Sequence, residues 1–263
     1  MTAFNRANLL LAGWWRAGLE TALDAIYPPR CAGCRAWGKP LFCDACRGAI
    51  QPLVPPFCAR CGIPFDPLAL AADICADCRS NRYHREPPFG LLRSVYIFDG
   101  PMRDAMHRFK YQEKTALDEP FAALLADYLR QPPAAYPAIP LDAIALVCPV
   151  PLHPWRRYRR GYNQSLLLSR ALGRDLGLPA AEILKRTRYT STQVGLSRVS
   201  RATNVRGAFG VQKDKLERIN PQMGAVLLVD DVCTTSATLR ECAVVLKAAG
   251  VPEVYAVTLA RQL

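Results

Sequence analysis

The chain has 263 residues and a formal net charge of +12; hydrophobic residues make up 51% of it, charged residues 21% and aromatic residues 9%. This length allows one large domain or two smaller ones, and the composition excludes a chain too polar to form a core. The positive charge is concentrated, because residues 156–206 contain twelve Lys or Arg against two acids. Such a segment can bind phosphates or a nucleic-acid backbone; the alternative is a solvated basic face.

Residues 1–28 predict an N-terminal helix that docks onto the rest of the protein. Their apolar positions fit one side of a helix only roughly, and Arg16, Glu20 and Asp24 make the stretch too polar to span a bilayer. A helix lying on a membrane surface is the alternative. Because no secretory signal is evident, we expect a cytoplasmic protein without a transmembrane segment. Peripheral attachment at the inner face of the membrane is the other expectation for its location.

Eight cysteines form four C-x-x-C pairs in the N-terminal third of the chain. The pairs are Cys31/Cys34, Cys43/Cys46, Cys58/Cys61 and Cys75/Cys78. A C-x-x-C turn directs two thiolates at one point, and two such turns complete a tetrahedral four-cysteine zinc site. Pairing of neighbouring turns gives one site in each half of the region, and interleaved pairing is the alternative.

Zinc is favoured over disulfides in this region, because disulfides are typical of secreted proteins and this chain shows no secretory signal. A site with four cysteine ligands has no open coordination position, so one or two bound zinc ions would be structural. Pro-rich loops leave the region few other means of folding, and metal binding would supply stability on the order of 10 kcal/mol per zinc. The remaining cysteines, Cys148, Cys233 and Cys242, are expected to be buried and structural.

After a predicted linker at residues 81–90, the sequence alternates between strands and helices. Apolar runs at residues 91–98, 143–151, 224–232 and 253–261 predict strands, and residues 99–112, 117–131, 163–177 and 236–250 predict helices. The alternation predicts a doubly wound α/β domain over residues 91–263. Ligands bind such sheets at the carboxyl ends of the strands, where "VCPVPLHP" and "VDDVCTTSAT" lie.

The segment "LLVDDVCTTSATL", residues 227–239, joins an apolar strand to two acids and a run of hydroxyl side chains. Small residues at a turn into a helix let backbone N–H groups converge on an anion, and the hydroxyls add donors. Asp230 and Asp231 would repel a phosphate, so they suit sugar hydroxyls or a divalent cation bound to the same ligand. A phosphate beside a diol describes a ribose 5-phosphate. An Asx turn with a helix N-cap explains only one Asp and one Thr.

This segment resembles the phosphoribosyl pyrophosphate signature of type I phosphoribosyltransferases. The resemblance implies a type I phosphoribosyltransferase-like parallel sheet in which Asp230 and Asp231 hold the ribose hydroxyls. It also implies that the following loop holds the 5-phosphate. That loop consists of Thr234, Thr235, Ser236, Ala237 and Thr238. Ser236 stands where glycine is usual. A positive φ is more costly for serine than for glycine, so the affinity for phosphate would be reduced. Thr234 stands where 6-oxopurine salvage enzymes have an acid, which argues against that subclass.

The whole chain is similar to the ComF family of competence-associated proteins. The resemblance rests on the cysteine-rich N-terminus, "FKYQEK", "PVPLHPWRRYRRGYNQS", "KRTRYTSTQVGLSRVSRATNVRGAF" and "VDDVCTTSATL", which occur in that order. It implies a double zinc ribbon over residues 29–80, followed by the phosphoribosyltransferase-like domain. It further implies a part in uptake or use of external DNA, with other competence proteins as partners.

The same resemblance implies a second loop that grips pyrophosphate and a third segment that closes over the substrate. The candidate residues are Pro151, Leu152, His153, Arg156, Arg160, Arg198 and Arg201. Guanidinium forks suit pyrophosphate. However, Trp155, Tyr158 and Tyr162 interleave with the arginines, and this pattern also suits single-stranded DNA.

Two hypotheses about function follow. The first is an enzyme or former enzyme of phosphoribosyl transfer, which would use Mg²⁺ with phosphoribosyl pyrophosphate. No general base is identifiable for it, and its acceptor is not evident. The second is a catalytically inactive module that binds single-stranded DNA and competence proteins. The fold does not decide between them.

Overall fold

The computed structural model of the protein describes residues 30–38, 41–65, 73–79, 88–111, 115–134, 136–188, 205–219 and 224–263. The strands are β1 (Leu92–Ile97), β2 (Ile144–Pro149), β3 (Leu184–Arg186), β4 (Phe209–Val211), β5 (Ala225–Cys233) and β6 (Val254–Arg261). The helices are α1 (Asp44–Ala49), α2 (Ala76–Arg79), α3 (Gly100–Tyr111), α4 (Asp118–Arg130), α5 (Pro154–Arg160), α6 (Gln164–Leu176), α7 (Lys213–Ile219) and α8 (Ala237–Ala248). The predicted N-terminal helix and most of the predicted linker lie outside the described residues.

Four strands form one sheet in the order β1–β6–β5–β2, and every neighbouring pair is parallel. In the register of the central strands, Leu228 of β5 lies between Cys148 of β2 and Ala256 of β6. These strands are almost continuously apolar because a parallel sheet is covered on both faces. Since all four run the same way, their carboxyl ends meet at one edge of the sheet.

Helices cover both faces of this sheet. α3, α4 and α6 share one cluster of buried residues with Leu227 and Val229 of β5, whereas α7 and α8 share the other with Val226 and Leu228. Alternate residues of a strand point to opposite faces, which explains the division. The predicted α/β fold with a parallel sheet is confirmed. Among the described residues, no helix is long and apolar enough to cross a lipid bilayer.

The predicted ends of α6 agree with its capping. The side-chain oxygen of Asn163 accepts a hydrogen bond from the Ser165 N–H at 3.2 Å, so it satisfies a donor of the first turn. Gly177 ends the helix with φ +68°, a left-handed conformation that glycine adopts readily. Residues 163–177 therefore carry their own start and stop signals.

The sequence did not predict six short elements, namely α1, α2, α5, α7, β3 and β4. The arginine-rich run after β2 forms α5, which His153 caps by accepting the Trp155 N–H at Nδ1 over 3.2 Å. The helix ends at Gly161, whose φ is +79°. Residues 184–186 pair antiparallel with residues 209–211 as strands β3 and β4. Strands of three residues are too short to show an alternating pattern.

The cysteine-rich region packs on the open edge of β1. The Leu53 N–H donates to the Val95 carbonyl at 2.8 Å, and the Ile97 N–H donates to the Gln51 carbonyl at 2.9 Å. The pairing is antiparallel, with a bridge between Pro52 and Tyr96. It supplies partners to backbone groups that an edge strand leaves unpaired. This region is therefore joined to the sheet through backbone hydrogen bonds.

Candidate functional site: two four-cysteine groups and a cavity at the sheet edge

The cysteines of the C-x-x-C pairs gather into two groups of four. The first group is Cys31, Cys34, Cys43 and Cys46, and the second group is Cys58, Cys61, Cys75 and Cys78. Within each group the Sγ atoms all lie within 4.8 Å of one another. The pairing is sequential, so the interleaved alternative is wrong.

The spacing of the sulfur atoms fits zinc. Tetrahedral zinc with Zn–S bonds of about 2.3 Å separates its sulfur ligands by about 3.8 Å. The Sγ atoms of Cys34 and Cys43 are 3.7 Å apart, and those of Cys61 and Cys75 are 3.6 Å apart. In the second group the Cys75 N–H also donates to the Cys58 Sγ at 3.3 Å, which favours a thiolate there. Both groups therefore support structural zinc.

Two glycines make the C-x-x-C turns sterically feasible, for different reasons. A Cβ on Gly33 would lie 2.7 Å from the Cys46 Sγ and 2.9 Å from the Cβ of Pro101, so no side chain fits. Gly62 follows the turn between Cys58 and Cys61 with φ +65°, where a side chain would be strained.

Two buried arginines hold the second group against the sheet. Arg93 of β1, only 4% exposed, donates to the Ala59 carbonyl at 2.7 Å. Arg261 of β6, only 2% exposed, donates to the carbonyl of Cys61. A buried guanidinium requires such acceptors, because burial without partners is strongly unfavourable. The second group thus forms part of the core of the protein.

A cavity of about 580 Å³ opens at the carboxyl edge of the sheet. Segments that follow β1, β2, β5 and β6 contribute to its lining, and α3 and the first turn of α6 contribute as well. Both motifs that the sequence placed at strand ends, "VCPVPLHP" and "VDDVCTTSAT", contribute lining residues. The volume is within the range of small-molecule sites.

The acid pair lies inside this cavity with two partners. The Ser165 Oγ donates to Asp230 Oδ1 at 2.8 Å, and the Lys110 Nζ lies 3.0 Å from Asp231 Oδ2. The Lys110 and Asp231 side chains are only 19% and 12% exposed, so their ion pair is weakly screened by salt. The two carboxylates are therefore fixed by different elements, α6 and α3.

The environment of Asp230 shifts its ionisation. Burial and the adjacent charge of Asp231 raise the pKa of Asp230 to about 7, although the Ser165 hydroxyl and the Lys110 ammonium favour its ionised form. At neutral pH, Asp230 is therefore close to the midpoint of its titration. A ligand that donates hydrogen bonds to the ionised carboxylate would bind with release of a proton.

The loop that follows the acids contains a strained residue. Ser236 has φ +58° and ψ +3°, and the only other described non-glycine residue with positive φ is Arg35. The sequence pointed to this position because glycine is usual there. Its hydroxyl donates to the Thr235 carbonyl at 2.6 Å, and α8 begins at the next residue. Ser236 therefore adopts the positive φ that is costly for a serine.

The cavity collects most of the predicted ligand-site residues. Those that line it are Pro151, Leu152, Arg160, Asp230, Asp231, Thr234, Ser236, Ala237 and Thr238. Of the others, Thr235 lies in the same turn, and His153 caps α5. The structure places the backbone of Arg156 in α5 without describing its side chain, and Arg198 and Arg201 lie outside the described residues.

Lys110, Gln164 and Ser165 are among the cavity residues that were not predicted to be functional. The sequence indicates no role for Lys110 beyond its place in "FKYQEK", and it predicts Gln164 and Ser165 only as parts of a helix. The Nε2 of Gln164 is buried and has no hydrogen-bond partner in the described part of the chain, and this residue lines the cavity. Their position in the sequence could have indicated a role. Gln164 and Ser165 directly follow the helix cap Asn163, ten residues after the pyrophosphate-loop candidate His153.

α5 presents aromatic and basic side chains beside the cavity. Tyr158 is 87% exposed and Trp155 is 48% exposed. Arg157 pairs with Glu182 at 3.3 Å, and the guanidinium of Arg160 lies 4.8 Å from the centre of the Tyr111 ring. Because Trp155 and Arg160 also line the cavity, this surface is continuous with it.

The three cysteines outside the two groups are structural, as predicted. Cys148, Cys233 and Cys242 are at most 2% exposed. Burial raises the pKa of Cys148 to about 12 and also raises the pKa values of Cys233 and Cys242. None of them has the lowered pKa of a reactive thiol.

Comparisons with known proteins agree with this architecture. Residues 22–79 match the family model of the double zinc ribbon domain. Competence protein F of Haemophilus influenzae is 34% identical over 236 residues, which cover 88% of this chain and 96% of the relative. DNA utilization protein YhgH of Escherichia coli is 29% identical, covering 86% and 92%. Competence protein ComFC of Bacillus subtilis is 27% identical, covering 75% and 74%.

The fold and the cysteine groups define a class: α/β proteins with a parallel sheet and an N-terminal double zinc ribbon. Within that class the similarity is extensive enough to assign a family. The chain belongs to the competence protein F family, the ComF family that its ordered motifs resemble.

Proposed function

We propose that the cavity binds a phosphoribosyl ligand, phosphoribosyl pyrophosphate or a related sugar phosphate, and that the protein uses this site in DNA uptake or utilisation. One observation carries the proposal: Asp230, Asp231 and residues of the 234–238 loop line one cavity at the carboxyl edge of a parallel sheet. Acceptors for a diol and donors for a phosphate are thus adjacent. The names of the relatives, competence protein and DNA utilization protein, support the biological role.

The lining has groups for each part of such a ligand. The carboxylates accept hydrogen bonds from ribose hydroxyls, and the turn into α8 offers backbone N–H groups and hydroxyls to the 5-phosphate. Arg160 lines the same cavity and suits the pyrophosphate. Lys110, held at Asp231, places a second cation near the bound anion.

Mg²⁺ fits this ligand and this lining, because it prefers carboxylate and phosphate oxygens. When bound, it would neutralise the pyrophosphate and stabilise it as a leaving group. The protein's own residues would bind the sugar, orient its anomeric carbon and exclude water from the cavity. Transfer of the phosphoribosyl group to an acceptor is the reaction that such a site would support.

Calorimetric titration of the zinc-loaded full-length chain tests the proposal. We expect saturable binding of phosphoribosyl pyrophosphate in the presence of Mg²⁺ and weaker binding when Mg²⁺ is omitted. Ribose 5-phosphate and free pyrophosphate, titrated separately, should each bind more weakly, because each fills only part of the cavity. No measurable heat at millimolar phosphoribosyl pyrophosphate would contradict the proposal.

A second function, binding of single-stranded DNA, is supported by α5. Bases stack on exposed aromatic rings, and arginines contact the phosphate backbone. Tyr158 and Trp155 are exposed, and α5 carries four arginines without an acid. The same surface borders the cavity, so a DNA strand and a sugar phosphate would be neighbours on the protein.

Replacement of the aromatic side chains tests this second function. We expect Tyr158→Ala and Trp155→Ala each to weaken binding of a fluorescent oligo(dT) by about 1–3 kcal/mol, roughly five-fold to 150-fold. Fluorescence anisotropy at two salt concentrations would measure the change. Trp37→Ala is the matched control, because Trp37 is 52% exposed but lies between Cys34 and Cys43 of the first group in the chain, outside α5. Unchanged DNA affinity in a variant that carries both substitutions would contradict binding through the aromatic rings of α5.

A further inference from the structure

One side chain of α8, Arg240, contacts both the second group and the loop after the acid pair. Its Nε donates to the Ser236 Oγ at 3.1 Å, and its Nη2 donates to the Cys78 Sγ at 3.4 Å. The guanidinium also lies 5.3 Å from the ring centre of Phe89, which is buried and fixes its direction. A candidate zinc ligand and a candidate phosphate loop are therefore two hydrogen bonds apart.

The loop needs a contact of this kind. A serine with positive φ is strained, and strained residues persist only where the surroundings hold them. Ser236 is only 8% exposed; its hydroxyl donates to the carbonyl of the preceding residue and accepts from Arg240. The second of these bonds comes from outside the loop. Arg240 thus supports the left-handed turn that brings the chain into α8.

Zinc changes the acceptor at the other end of Arg240. In a zinc site the cysteines are thiolates, and a guanidinium forms a strong charge-assisted hydrogen bond to an anion. A bound zinc also fixes the position of the Cys78 Sγ, which lies 3.4 Å from the Arg240 Nη2. With zinc in the second group, Arg240 is therefore held more firmly, and the turn at Ser236 is held with it. The first group contacts a different arginine. Arg108 of α3 donates at 2.7 Å to the carbonyl of Gly33, which lies in the turn between Cys31 and Cys34.

We propose that Arg240 is a positioning residue that couples zinc in the second group to ligand binding at residues 234–238. The inference rests on the proposed function, because it needs a ligand that orders this loop. Zinc in the second group then raises the affinity for the phosphoribosyl ligand, and the ligand in turn retains the zinc. The two effects are equal by linkage.

Zinc release gives a readout that does not depend on catalysis. The full-length, zinc-loaded chain is challenged with a zinc-selective fluorescent chelator, with and without phosphoribosyl pyrophosphate and excess Mg²⁺. We expect two phases of release, one for each group. A Cys34→Ser variant, which disrupts the first group, identifies the phase of the second. The ligand should slow that phase about five-fold or more and leave the other unchanged.

Arg240→Met should reduce this protection severalfold while both phases remain, because methionine keeps the aliphatic stem and removes the two donors. The protection that remains reflects the dependence of the folded sheet on the second zinc. Arg79→Met is the matched control: Arg79 donates to the Ile74 carbonyl near the second group at 3.1 Å, away from the loop. Ser236→Ala, which breaks the link from the loop side, should reproduce the Arg240→Met result. Two results would overturn the coupling alone. One is ligand binding by calorimetry without protection in the wild type, and the other is protection in Arg240→Met as large as in the wild type. No ligand binding in the wild type would overturn the proposed function and this inference together.

Discussion

Disruption of the second group by Cys58→Ser should prevent the sheet from folding stably, whereas disruption of the first by Cys34→Ser should leave it folded. Cys58 is fully buried, and its group is held by Arg93 and Arg261 against β1 and β6. A structural zinc contributes on the order of 10 kcal/mol, which is comparable to the whole stability of a domain. Cys34 is exposed, so its group lies nearer the surface.

Metal analysis and thermal unfolding measure the difference. The wild type should contain two zinc ions per chain, and Cys34→Ser should retain one with its far-ultraviolet circular dichroism preserved. We expect Cys58→Ser to unfold at least about 10 °C lower, if it can be purified, since each kcal/mol shifts Tm by about 2–4 °C at this size. Stepwise removal of zinc from the wild type by a chelator, followed by circular dichroism, also compares how much each zinc contributes to folding. Equal stability of the two variants would contradict the asymmetry.

The fold could be predicted from the sequence where local signals were strong. Asn163 and Gly177 bracket α6, and the apolar runs gave all four strands of the sheet because a buried parallel strand has few polar residues. The zinc groups were predictable because C-x-x-C spacing is a geometric requirement of the metal. The helices α1, α2, α5 and α7 and the antiparallel β3–β4 pair were not predicted, because they are short and depend on capping or tertiary contacts.

The site could be predicted only in part, since its residues come together through the fold. Asp230, Asp231 and the loop of hydroxyl side chains are contiguous in the sequence, so their chemistry could be recognised from that segment alone. Lys110 is about 120 residues away in the chain, and no local pattern indicates that α3 would place its ammonium at Asp231. The contact between Arg240 and Cys78, separated by 162 residues, likewise exists only once the cysteine-rich region docks on the sheet.

The double substitution of Asp230→Asn and Asp231→Asn should weaken binding of phosphoribosyl pyrophosphate by roughly 100-fold or more. Hydrogen bonds to a charged group contribute about 1.5–3 kcal/mol each, and the two carboxylates would each lose one to a ribose hydroxyl. Asparagine preserves the shape of both side chains and keeps an acceptor for the Ser165 hydroxyl. Calorimetry with excess Mg²⁺ measures the loss.

A matched substitution separates the site from a general effect of charge. Asp175→Asn removes a carboxylate that pairs with Arg130 at 2.8 Å on the surface, away from the cavity. Surface ion pairs of this kind contribute little to the free energy of unfolding, so this variant should unfold at nearly the same temperature as the wild type. It should also bind the ligand as the wild type does. Equal loss in both variants would mean that bulk charge, and not the acid pair, governs the affinity.

The pH dependence provides an independent test of the same carboxylates. The pKa of Asp230 is raised to about 7, so the protonated form dominates below that value. A protonated carboxyl group is a weaker acceptor for a ribose hydroxyl than a carboxylate. Affinity should therefore rise as pH increases from 6 to 8, with proton release that is detectable in buffers of different ionisation enthalpy. In Asp230→Asn this rise should disappear, because the titrating group is gone. A rise that persists in this variant would assign the titration to the ligand's own phosphate.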